Sequence, residues 1–238
     1  MIRRAARTRA VTRKYAYDLQ DNGAEVNPGW FSERSAMSIL LDVFDDGGPA
    51  EGHDAVALGL GAIIDVMVDD MKVTPAFMTL FAFIDALKRA HPAAAAAIDA
   101  LGAHRGVLGV PVVDGFGMGE TNDAGDPNNL PVYRSIDAGP VTAALVHSAV
   151  FNDLGQIRYF RFKGDGSEVR VRLDNDSTQD TDLWVYRAGV EVINARTYES
   201  SELTAPFVAE AGVDYVVLVR GDPLTASCSI TVSLERAP

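Results

Sequence analysis

Carboxylates are the residues of this chain whose types and spacing best suit chemistry. Asp42, Asp45, Asp46, Glu51 and Asp54 fall within one turn and the loop after it. Calcium takes about six to eight oxygen ligands, several of them carboxylates, so this cluster is a calcium candidate. Its spacing is not that of an EF-hand, and a solvated acidic loop accounts for the same residues. A second cluster, Asp174, Asn175, Asp176, Asp180 and Asp182, lies in a turn between two strand-like runs. A calcium ion would fix that turn; Asx hydrogen bonding to the local backbone explains the same composition without metal. Trp184, Tyr186 and Tyr159 are aromatics at strand spacing, which suits either a stacking platform for a sugar or cross-strand packing.

Covalent and transition-metal chemistry has less to work with. The histidines are His53, His91, His104 and His147; no two are four residues apart and none is followed by Glu. The chain therefore holds no His-Glu-x-x-His zinc helix. Cys228 is the only cysteine, which excludes an intrachain disulfide and a cysteine-based zinc site. It sits in the alternating run 225–232 and reads as a small buried hydrophobe. His53 falls in the first acidic loop and is expected to be exposed and idle. Ser32, Ser35 and Ser148 form no nucleophile elbow, and the glycine-spaced loop 115–119 lacks the strand–turn–helix setting of a phosphate cradle.

The chain has 238 residues, 47% of them hydrophobic, enough for one large or two ordinary domains with a sizeable core. A formal net charge of -12 argues against general nucleic-acid binding, which needs basic surface to displace counterions. Residues 1–14 run against that balance. Arg3, Arg4, Arg7, Arg9, Arg13 and Lys14 with no acid give +6, so that with them taken from the total the rest carries -18. This head is expected to be a solvated helix at a terminus, or else a tether to an anionic surface or nucleic acid. No apolar stretch follows Arg3-Arg4, so no export signal is complete, and no run reaches the roughly 18 apolar residues of a membrane span.

The elements that must position these residues begin with helices. Ser32, following Asn27-Pro28-Gly29, is a helix cap, and Glu33 meets the positive end of the dipole. Ala36, Ile39, Leu40, Val43 and Phe44 share one apolar face, which predicts a helix over about 32–45. An apolar stretch predicts a second, well-buried helix over 55–71. Thr74-Pro75 is a start signal for a third, running to about Ala90, and Pro92 opens a fourth over 93–101. Residues 1–14 are expected to be helical and 15–19 a short strand. Residues 102–131 are rich in Gly, Pro, Asn and Asp, and form a connector or a loop laid over the helical unit. From Leu130 the period changes to two. Strands are predicted at 131–136, 141–146, 157–163, 168–173, 182–187, 190–195, 203–207, 214–220 and 227–234, the pattern of a β-sandwich. The fold class is α+β: an N-terminal helical unit of about four helices and a C-terminal antiparallel β-sandwich. The expected division is 1–106 helical, 107–135 connector and 136–238 sandwich.

Two parts of the chain resemble known families. Asn27-Pro28-Gly29-Trp30-Phe31-Ser32-Glu33-Arg34-Ser35, the following 39–45 and 84–88 resemble the region after the zinc-binding helix in large secreted bacterial zinc-metallopeptidase-like proteins of gluzincin type. That likeness covers roughly residues 15–160. Gly155-Gln156-Ile157-Arg158-Tyr159-Phe160-Arg161-Phe162, with 180–186 and 211–219, resembles the pre-peptidase C-terminal domain, a β-sandwich appended to many secreted peptidases. The resemblance implies secretion or cell-surface placement and a cleft-proximal role for Glu33. Zinc would come only from ligands that a missing upstream segment supplies.

Because the His-Glu-x-x-His signature is absent, the chain is expected to be a non-catalytic C-terminal portion of such a protein, either truncated or a stand-alone remnant. As it stands it should not hydrolyse peptides. Its sandwich would aid folding, secretion or substrate attachment. The alternative is an autonomous extracellular binding or adhesion module for glycan or protein, with Trp184 and Tyr186 as contacts. Expected partners are protein or polysaccharide, not nucleic acid. The residues fix no cofactor; calcium is the candidate, at one or other of the two acidic clusters. A missing upstream half would leave an apolar wall exposed.

Overall fold

A computed structural model describes residues 28–45, 55–108, 114–147, 153–197, 201–221 and 224–236. The helix expected at 1–14, the strand at 15–19, and Asp46, Glu51, His53 and Asp54 lie outside these. Helix α1 (Glu33–Phe44) starts where its cap predicts: Ser32 Oγ accepts from the Ser35 amide at 3.3 Å. Its inner face carries Ser35, Ile39, Asp42 and Val43. An aspartate on a buried face needs a counter-charge. Arg105 supplies it, with Nη2 3.0 Å and Nε 3.3 Å from Asp42 Oδ2. The two residues are 1% and 4% exposed. Arg105 follows α5 (Ala95–His104), so the pair ties the first helix to the last.

The second helical run is not one regular helix. It comprises α2 (Gly59–Asp65), a π-turn (Val66–Asp70) and α3 (Met71–Val73). Helix α4 (Leu80–Ala90) begins later than Thr74-Pro75 suggests. Its cap is Thr79, whose Oγ1 accepts from the Ala82 amide at 3.3 Å. The cause is not local: the Phe77 amide donates to the hydroxyl of buried Tyr133 at 3.0 Å, which holds the 74–79 segment off the helix. Pro92 opens a 3-10 turn (Pro92–Ala94) before α5.

The loop between helices and strands is fastened down. Asn122 Nδ2 donates to Pro28 O (2.8 Å) and Gly106 O (2.9 Å), and the Trp30 indole N–H donates to Asn122 O (2.7 Å). Gly106 has φ 74°, and a Cβ there would stand 2.7 Å from Pro28 O, so only glycine fits. Glu120, buried, accepts from the amides of Leu108, Thr121 and Asn122. Burial pushes its carboxyl above the ordinary range while those three bonds pull it down.

The strands make two five-stranded sheets. Sheet A runs β1 (Tyr133–Ser135), β3 (Ile157–Lys163), β9 (Asp214–Gly221), β5 (Thr181–Arg187), β6 (Val190–Ala195). Sheet B runs β2 (Val141–Leu145), β10 (Cys228–Arg236), β4 (Glu168–Asn175), with β7 (Glu202–Leu203) and β8 (Phe207–Val208) both on β4. Every pairing is antiparallel except β1 with β3, where Tyr133 faces Tyr159 in parallel register. Residues 133–135, assigned above to the connector, are thus the edge of the sandwich. The single strand expected at 203–207 is split in two around Pro206, which has no amide to donate.

Phe160, Phe162, Val185, Val217 and Val219 of sheet A pack on Val171, Leu173, Ile230 and Val232 of sheet B. Tyr133, Tyr159 and Val216 point the other way, into the helical core. Sheet A is therefore the middle of three layers, covered by helices over part of its outer face. Phe77 joins them, 5.3 Å from the Tyr159 ring and 5.0 Å from Tyr186.

Arg105→Met would leave the Asp42 charge buried without its partner. We expect a loss of about 3–5 kcal/mol in urea unfolding, largely recovered when Asp42→Leu is added. A single variant as stable as the parent would show that the pair carries no such role.

Candidate functional site

A groove of about 660 Å³ opens between the end of the second helical run and the tip of the β5–β6 hairpin. Met67, Val68, Met71, Phe77 and Met78 form one wall, and Ala188, Gly189 and Val190 the other. Met67 is 54% exposed, Met78 76% and Val190 69%. The apolar surface continues over Leu60, Ile64, Val73 and Val192.

Local sequence explains both walls. The run 59–71 is apolar on both sides: Ala62, Ile63, Val66 and Met71 face the core, while Leu60, Ile64, Met67 and Val68 face out. This corrects the expectation of a well-buried helix, since only its inner half is covered. A helix apolar all round normally has cover on both sides. On the opposite wall, Ala188 (φ 45°) and Gly189 (φ 75°) both take the left-handed backbone of a tight two-residue hairpin turn.

Charge around the groove is lopsided. Asp69 and Glu191, each next in sequence to a lining residue, and Asp65, two residues before Met67, are exposed, and Lys72 is a cation in the lining. Among the described residues no ion pair reaches Asp65 or Asp69. The other cations nearby are taken: Arg89 pairs with Asp70 (2.9 Å) and Asp85 (3.2 Å), and Arg187 with Glu210. An apolar trough with acids near it is suited to receiving apolar side chains. Its three methionines adapt to irregular shapes.

The residues singled out from sequence are scattered. Glu33 is exposed in the first turn of α1 and does not line the groove. Asp42 is not a calcium ligand, because Arg105 holds its carboxylate. Asp45 is the C-cap residue of α1. In the second cluster, Asp182 is buried against Arg196 (3.2 Å), and Asp176 Oδ1 accepts from the Ser229 amide (2.8 Å). Asp174 is exposed. Asn175 Oδ1 accepts from Ser177 N and Oγ, the Asx arrangement. Among the described residues no three His, Cys, Asp or Glu side chains gather to hold a metal.

The aromatic platform also divides. Tyr186 lies edge-on to Phe77 and Tyr159 packs on Phe77 and Tyr133, so both take part in the helix–sheet contact. Trp184 is half-buried on the outer face of β5, with the Arg196 guanidinium 5.2 Å above its ring. Cys228 is buried and its thiol is pushed up by desolvation, the setting of an inert sulfur. Sequence reasoning missed the groove; the signal available was the all-round apolar character of 59–71.

No family model matches the sequence, and no characterised protein sequence matches it either. Among solved structures, the chain is similar to the pre-peptidase C-terminal domain of a collagenase from Bacillus anthracis. The identity is 11% and the TM-score 0.35, over 43% of this chain and 92% of that one. It is also similar to PliG of Aeromonas hydrophila, a periplasmic inhibitor of g-type lysozyme, at 7% identity and TM-score 0.30 over 43% and 97%. A carbohydrate-binding module, CBM36, solved with calcium and xylotriose, gives 14% identity and TM-score 0.25 over 40% and 78%. No residue role passes from these proteins to this chain, and none of them bears on a metallopeptidase likeness of the helical part. No helix among the described residues is long and apolar enough to cross a membrane.

Asp182 and Asp176 have partners within the protein, while Asp46, Glu51 and Asp54 lie outside the described residues. A calcium ion held at either cluster would make the thermal midpoint climb with calcium concentration and fall with a chelator; an unchanged midpoint removes it.

Proposed function

We propose that the chain is a non-catalytic docking module of a secreted metallopeptidase-like protein. The helical unit offers its apolar groove to a protein segment, and the β-sandwich holds that groove in place while aiding folding, secretion or attachment. The observation that carries this reading is the outward face of α2 and the π-turn, where Leu60, Ile64, Met67 and Val68 are exposed and the last two line a groove walled by Met78 and Val190. A contiguous exposed apolar patch of this kind marks an interaction surface. The likeness of residues 27–45 to the wall of a peptidase supports placing the unit beside such an enzyme. Zinc and peptide hydrolysis would then belong to residues outside this chain.

A second reading, glycan binding at the sheet, is favoured by Trp184, whose ring is half-exposed with Arg196 above it and Asn194 opposite it on β6. Sugar rings stack on such indoles. Protein is the expected partner of the groove and polysaccharide that of the Trp184 face.

Two measurements test the proposal. The purified chain should leave casein intact and carry no stoichiometric zinc; one zinc per chain together with hydrolysis overturns the non-catalytic claim. A photoreactive benzoylphenylalanine placed at position 78 of the full chain should capture a protein segment on illumination, and Val190→Asp should abolish the adduct. An absence of any protein adduct at that position removes the docking reading.

A further inference from the structure

A groove that docks a protein segment needs an occupant, and the area and shape of this one point back to the chain itself. We infer that the occupant is a second copy of this chain, packed groove to groove about a two-fold axis; the inference rests on the groove being a docking surface.

Area comes first. Leu60, Ile64, Met67, Val68, Met78 and Val190 are each about half exposed or more. Side chains of this size at those exposures together present on the order of 700 Å², within the roughly 600–1,000 Å² that each partner of a stable interface buries. The largest apolar patch on a typical monomer is smaller, about 300–600 Å². Leu60 and Ile64 stand one turn apart in α2, and Met67 and Val68, about one turn further on, line the groove. The outer side of this run is therefore as apolar as the side that the core covers, and a second copy gives it cover of the same kind.

Shape comes second. A two-fold contact joins the same patch on both copies, so the patch must fit itself. Met78 is the most exposed large hydrophobic side chain among the described residues, and it lines the groove. A knob beside its own hole is self-complementary. Met78 of each copy enters the groove of the other, against Met67 and Met71 on one side and Ala188 to Val190 on the other. Methionine is unbranched and flexible, and adapts to such a fit. The contact closes on itself and leaves no apolar face for a third copy.

Charge allows a like partner. Lys72 lines the groove, and Asp69 and Glu191 are each next in sequence to a lining residue. Among the described residues none of these three is in an ion pair. Each copy brings both signs, so a two-fold can set Lys72 of one against an acid of the other.

Sedimentation velocity of the full chain tests this, with a mass of two chains as the expected result. Met78→Asp should raise the dissociation constant at least about tenfold, the effect of losing an anchor at the centre of an interface. Val68→Asp, on the same wall, should do likewise, and circular dichroism like the parent's checks that each variant folds. Val208→Asp, at a similarly exposed valine on β8 of the other sheet, should leave the dimer unchanged. A chain that sediments as a monomer at its highest soluble concentration overturns the inference, as does a dimer that folded Met78→Asp and Val68→Asp leave as tight as the parent. The photoreactive group at position 78 separates the two claims, in a mixture of isotopically light and heavy chains. An adduct joining a light to a heavy copy through residues 67–78 or 188–190 supports the inference. An adduct to any other segment overturns it and keeps the docking reading, and no adduct overturns both.

Discussion

A sheet buried on both faces needs two partners, and sheet A has them only over part of its surface. At the β1–β3–β9 end, Tyr133, Tyr159 and Val216 reach into the helical core, while Phe160 on β3 and Tyr215 and Val217 on β9 reach into the sandwich. The Tyr133 hydroxyl is the hinge pin of that arrangement. It is wholly buried, it accepts the Phe77 amide, and burial pushes its phenol well above the ordinary range, so it stays neutral and able to accept. Around it Phe116, Tyr159 and Phe77 pack ring against ring. Edge-to-face and tilted aromatic pairs of this kind contribute about 0.5–1.5 kcal/mol each beyond the area they bury.

The groove is a by-product of that contact. Phe77 is drawn toward the sheet, so the segment around it stands beside the β5–β6 hairpin, and Met78 is left facing the hairpin tip. The second helical run supplies the floor, and its outward residues find no cover among the described residues. The docking proposal thus rests on a mismatch: a helix apolar on two sides that has cover on one among the described residues. The Trp184 face lies on the same sheet, beyond the part the helices cover, and its chemistry is polar and stacking where that of the groove is apolar.

How much of this was legible in the chain depended on distance along it. Helix α1 was legible because its cap and apolar spacing are contained in one short stretch. Strands at 157–163 and 190–195 matched because alternation alone decides them. The start of α4 was misread because Tyr133, 56 residues away, captures the Phe77 amide and no local rule sees it. Asp42 looked like a metal ligand for the same reason: its true partner, Arg105, is 63 residues on. Tyr186 looked like a sugar contact because strand alternation fixes which face a side chain takes but not what covers that face. The groove was the least legible feature, since exposure of Met67 or Val190 is set by how the two halves meet.

The π-turn carries a consequence of its own. Val66 and Met71 both point into the core although five positions separate them, because the Met71 amide bonds to the carbonyl of Val66 and not to that of the residue after it. One residue is in effect wound into the helix as a spacer. In an ordinary helix each residue advances the side chains by about 100°. Dropping a single position between 66 and 71 would therefore turn one half of the run against the other like a combination dial, and the methionine stripe would face the interior or the solvent according to that setting alone.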